Sequence, residues 1–99
     1  MIKVHRDYLT RDKHHRRAHV EVNPVGYLDI DIIGRNECYH CDFEYIYFEN
    51  SGEKTKVIGH EQGKNNKVWQ LMLSDQDARE LTHLIEEANE TYELLMKDL

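Results

Sequence analysis

The strongest constraint on this chain is a change of hydrophobic period near residue 74. Upstream, apolar side chains return at every second position; downstream they return every three or four. A period of two puts alternate residues on opposite faces of a strand, whereas three-four spacing gathers them on one face of a helix. Ala18, Val20 and Val22 alternate with His19 and Glu21, Leu28, Ile30 and Ile32 with Asp29 and Asp31, and Trp69, Leu71 and Leu73 share a face. From Asp75 onward, Ala78, Leu81, Ile85, Ala88, Tyr92, Leu95 and Leu99 form one stripe, with neither Gly nor Pro to interrupt it. Such a helix can cover the apolar face that the strands leave open.

The elements between these anchors follow from turn chemistry. Asn23-Pro24-Val25-Gly26, Gly34-Arg35-Asn36 and Asn50-Ser51-Gly52-Glu53 read as turns. Ile2, Val4, Tyr8 and Leu9 mark a first strand, followed by a charged turn from Thr10 to Arg17. Glu37 to Glu49 reads as one long strand, with Tyr39, Cys41, Phe43, Tyr45 and Tyr47 on the core face. Ile46 and Phe48 interrupt its polar face, which a bulge or a second contact surface would explain. Thr55 to Ile58 reads as a short strand and Gly59 to Asn66 as a polar loop or hairpin tip. Ser74 is placed to cap the helix, with Asp77 in a capping-box-like position.

The expected architecture is α+β, an antiparallel sheet of about five or six strands with one long amphipathic helix packed on one face. A chain of 99 residues supports one such core. The expected organisation is therefore a single domain: a basic strand and loop over 1–17, a β-meander over 18–73 and a helix over 75–98. The helical spacing also matches a heptad, so both monomer and homodimer are compatible with it.

No apolar run is long enough to span a bilayer, and the charged start lacks the apolar centre of a signal peptide. Two cysteines are few for a small secreted domain, which points to a soluble protein in a reducing, cytoplasmic setting.

Charge is distributed unevenly. Residues 1–19 hold six Lys and Arg, two acids and four of the seven histidines; the remainder holds seven bases and seventeen acids, for a net charge of −6. A basic arm thus precedes an acidic body, and this asymmetry bears on partners rather than on fold. Lys3, Arg6, Arg11, Lys13, Arg16 and Arg17 are candidate phosphate contacts, or else they face the chain's own acids, Asp29, Asp31 and those of the helix. Asp29, Asp31, Asp42 and Glu44 on strands, with Glu86, Glu90 and Glu93 on the helix, form acidic rows that can face a basic protein.

Catalytic patterns are sparse. Cys38 and Cys41 have the Cys-x-x-Cys spacing of half a zinc site, and His60, His14, His15 or His19 can be imagined as completing it. No second pair is present, and Cys41 falls on a strand's aromatic face rather than in a tight turn. Asp29 and Asp31 resemble a carboxylate pair for a divalent cation, but alternating acids also describe a solvated strand face. Neither a phosphate-binding glycine run nor a nucleophile elbow occurs.

These features lead to a non-enzymatic, cofactor-free protein-binding domain, an acidic inhibitor or adaptor of a nucleic-acid-processing enzyme. In size, charge and lack of catalytic patterns, the chain resembles phage-encoded anti-defence inhibitors, anti-CRISPR proteins included. The resemblance is one of general character, no motif carries it, and it assigns no residue roles. The alternatives are a nucleic-acid-binding regulator using the basic arm and a zinc-binding domain using the cysteine pair.

Overall fold

In a computed structural model, residues 3–13, 15–61 and 67–97 are described, with side chains through residue 90. The period-two stretches form seven strands: β1 (Val4–Leu9), β2 (Arg17–Asn23), β3 (Tyr27–Ile32), β4 (Glu37–Asp42), β5 (Ile46–Ser51), β6 (Lys54–His60) and β7 (Val68–Ser74). The three-four stretch forms α1 (Asp75–Lys97). Both sheets are antiparallel meanders, β1-β2-β3-β4 and β5-β6-β7. The α+β architecture with a C-terminal helix is as expected, but the strands divide between two sheets and exceed the expected number. Ile2, His14, residues 62–66 and the side chains of Tyr92, Glu93, Leu95, Met96 and Leu99 lie outside the described residues.

The division arises within the run read as one strand. A 3₁₀ turn at Phe43–Tyr45 ends β4 and starts β5, so the alternation does not carry through. Tyr39 and Cys41 face the core before the turn; afterwards Ile46 and Phe48 take that role and Tyr47 is 53% exposed. The apolar pair that interrupts the polar face therefore records a reversal of parity, in place of the expected bulge.

One core joins the layers. Ala18, Val20, Val22, Leu28, Ile30 and Ile32 supply the inner face of the first sheet, and Val57, Trp69, Leu71 and Leu73 that of the second. Ala78, Leu81 and Ile85 of α1 are buried with them, and the helix contacts β2, β6 and β7. Complete burial of a side chain such as Leu81 contributes about 1.5–3 kcal/mol. The helix starts where expected: the Asp77 amide donates to Ser74 Oγ at 3.1 Å, and Asp75 and Asp77 lie in the positively polarised first turn.

Gly59 marks a close approach between side chain and strand. A Cβ there would enter the indole ring of Trp69, which lies across the glycine from β7. The indole also stacks on Tyr39 of the other sheet, with centroids 5.3 Å apart and planes 13° from parallel. No described helix is long and apolar enough to cross a membrane.

Candidate functional site

The registers of β1 to β4 place polar side chains on the outer face of the first sheet, on the side away from α1. One row reads His5, Glu21, Asp29 and His40; the next reads Asp7, His19, Asp31 and Cys38. Acids in these rows have neighbours of opposite or hydrogen-donating character. His40 Nδ1 lies 2.6 Å from Asp29 Oδ1, His19 Nδ1 lies 2.7 Å from Asp7 Oδ1, and Lys3 Nζ lies 3.1 Å from Glu21. The Cys38 thiol donates to Asp31 Oδ1 at 2.8 Å. Hydrogen bonding to Asp31 holds that thiol's pKa above its ordinary value. His19 Nε2 lies 3.2 Å from His5 Nδ1, and the two rings stack with centroids 5.3 Å apart.

A groove of about 420 Å³ lies between β5 and α1. Phe48 and Ala78 give it an apolar floor, while Asn50, Asp75, Arg79, Thr82, His83 and Glu86 supply polar walls. One end is tightly organised: Asn50 Nδ2 donates to Asp75 Oδ1 at 2.8 Å, Thr55 Oγ1 donates to the same oxygen at 3.1 Å, and Arg79 pairs with Asp75 at 3.0 Å. At Glu86 the situation differs, because no cation among the described residues pairs with it. Glu90, one turn further, is also exposed and unpaired among the described residues.

The acidic residues singled out from sequence thus do not form one surface. Asp29, Asp31 and Asp42 are on the outer face of the first sheet, Glu44 is exposed in the 3₁₀ turn, and Glu86 and Glu90 are exposed on the helix covering the inner face. The reason is the sandwich itself: the sheet lies between its own outer acids and those of the helix. Glu93 belongs to the undescribed side chains.

The basic segment is likewise divided. Lys3 is paired with Glu21, which raises its pKa, and Arg6 lies 3.6 Å from Glu80. Tyr8 donates to that same carboxylate at 2.8 Å, and burial followed by this bond holds the phenol far above its ordinary pKa. Arg11, Lys13, Arg16 and Arg17 have no described ion-pair partner. Their loop is built rather than loosely attached: Thr10 N donates to Arg16 O at 2.7 Å, Arg16 N to Thr10 Oγ1 at 2.8 Å, and Arg11 N to Met72 O at 2.7 Å. Arg35 joins this end of the sheet through the β3–β4 turn, where it lies 3.5 Å from Glu37. That fifth cation follows from the hairpin topology and was not visible as part of the basic arm.

The zinc expectation meets a geometric obstacle. A separation of three along a strand puts two side chains on opposite faces, so Cys38 is exposed on the outer face and Cys41 is buried in the core. Burial raises the Cys41 pKa, and its thiol makes only long contacts, at 3.4 Å, to the carbonyls of Asp42 and His60. The His60 ring instead meets Tyr47 edge-on at 5.5 Å. Cys38, Cys41 and His60 therefore cannot converge on one ion. Among the described residues, no three His, Cys, Asp or Glu side chains form a metal-binding group.

The chain matches no family model, and neither curated proteins nor solved structures include a match to it.

Proposed function

We propose that this protein is a non-enzymatic protein-binding domain, an inhibitor or adaptor, that engages a basic partner through the α1 side of the molecule. The observation carrying this reading is the β5–α1 groove together with carboxylates at Glu86 and Glu90 that make no ion pair among the described residues, the groove's Arg79 and His83 being engaged by Asp75 and Glu87. Rigid uncompensated acids favour encounter with a positive surface and suppress docking to a negative one. The outer-face acids contribute less, because Asp29 and Asp31 already engage His40 and Cys38. Two free thiols suit a reducing compartment such as the cytoplasm.

The reading is tested by affinity capture from the native cell after nuclease treatment, using wild type and the Glu86→Lys, Glu90→Lys double variant. A protein retained by wild type and lost from the folded variant is the expected result. Equal recovery by both overturns the assignment to this side.

A second reading has its own support in the constrained loop that holds Arg11, Lys13, Arg16 and Arg17 near Arg35. Here the domain binds nucleic acid at that end. Four phosphate contacts would reduce affinity about a hundredfold between 50 and 200 mM salt. Substituting Arg11, Lys13 and Arg17 by Glu should then abolish retention on duplex DNA; unchanged retention overturns this reading.

A further inference from the structure

The strand edges of the two sheets are treated differently. On β4, the His40 amide donates to Glu61 Oε1 at 2.7 Å. On β7, the Met72 carbonyl accepts the Arg11 amide at 2.7 Å. β1 carries His5, Arg6 and Asp7, and the Arg6 guanidinium folds back onto the His5 carbonyl at 2.8 Å. Bonds to loops and charged side chains are ways of discouraging an added strand. Among the described residues β5 pairs only with β6, and beyond the Ile46 amide's bond to Phe43 O no other group bonds its backbone. This open edge also borders the β5–α1 groove.

We propose that the β5 edge accepts an extended segment of a cationic protein partner as a fourth strand of the β5-β6-β7 sheet. This deepens the protein-binding reading above and rests on it. In an added strand, main-chain bonds supply affinity and alternate side chains enter flanking pockets. One such side chain lies over Phe48 and Ala78, while a Lys or Arg of the same segment reaches Glu86. The groove volume falls within the range of about 300–1,000 Å³ found for ligand sites. Charge selects among occupants: a second copy paired through β5 would bring Glu49 and Glu86 towards the same acids of its neighbour, whereas a cationic segment compensates them.

The test selects a displayed library of short random linear peptides on the intact protein. Enriched sequences should contain Lys or Arg and perturb the amide signals of β5 and the first half of α1. N-methylation of alternate peptide residues should split by parity, one set losing at least tenfold in affinity and the other remaining within about twofold, because only one set donates to the edge. Thr82→Trp, which fills the groove from its rim, should abolish binding with unchanged circular dichroism and thermal midpoint; Thr82→Ser should preserve it. Glu86→Lys should weaken binding about threefold or more.

Perturbations confined to other surfaces overturn the location. Loss without parity, or insensitivity to N-methylation, overturns strand addition even if peptides occupy the groove. Concentration-dependent dimerisation that protects β5 amides makes a second copy the occupant and also overturns the proposal. If native capture fails but parity-dependent peptide binding persists, the failure belongs to the partner assignment; if capture depends on Glu86 and Glu90 while no peptide binds β5, it belongs to strand addition.

Discussion

The outer face of the first sheet and the groove-facing side of α1 both carry exposed acids, yet their carboxylates have different neighbours. On the sheet, cross-strand registry supplies Asp29 with His40, Asp7 with His19 and Asp31 with Cys38. On α1, Asp75 and Arg79 form an i,i+4 pair, while Glu86 and Glu90 have no described cation. Counting acids would equate the two regions. Their neighbours distinguish a face whose carboxylates already hold hydrogen-bond partners from one whose Glu86 and Glu90 make no ion pair among the described residues.

The largest expected effect tests whether the groove depends on the second sheet's packing. Gly59→Ala directs a methyl group into the Trp69 indole and should destabilise the protein by about 1–3 kcal/mol. Denaturant unfolding followed by Trp69 fluorescence measures this change. Nuclear magnetic resonance should localise native-state perturbations to β6, β7, the stacked Tyr39 and the groove wall while preserving the Asp7–His19 contact. An unchanged midpoint would show that the indole can leave its place over Gly59 at little cost, removing the rigidity assigned to this side.

A smaller effect compares the acids directly. Asp29→Asn and Asp7→Asn should each lower stability by about 0.2–1 kcal/mol, the usual range for an exposed pair. Glu86→Gln and Glu90→Gln should remain within about 0.5 kcal/mol or stabilise slightly, since they remove mutual repulsion without breaking a described ion pair. Equal losses at all four positions would erase the distinction between the two regions.

The legibility of these regions in sequence was uneven for a physical reason. β2, β3 and β7 were readable because each carries three aligned apolar residues, and the α1 stripe was readable because Ala78, Leu81 and Ile85 follow helical spacing. The aromatic run was misleading because Phe43, Tyr45 and Tyr47 continue the pattern of Tyr39 and Cys41 through a turn that reverses parity. Its visible trace was the apolar pair Ile46 and Phe48. The acids themselves were evident, but the contact between Asp31 and Cys38 depends on strand register, and the groove joins Phe48 to Thr82 across a long sequence separation. Local periodicity describes one element at a time; these neighbours arise when elements pack.

Cys38 provides the finest test of the sheet's hydrogen-bonded face. Its thiolate is the alkylating nucleophile, whereas the hydrogen bond to Asp31 favours the thiol and raises its pKa. At mildly alkaline pH, iodoacetamide should consequently modify Cys38 more slowly than an ordinary exposed cysteine. Asp31→Asn removes the anionic acceptor, shifts the rate profile towards lower pH and accelerates modification about threefold below its plateau. Cys41, only 2% exposed, is the internal control and should react after unfolding. Mass spectrometry of the two modified positions separates their rates. If Asp31→Asn leaves the Cys38 profile unchanged, Asp31 does not hold the thiol in solution, and its carboxylate oxygen is open to a partner's donor.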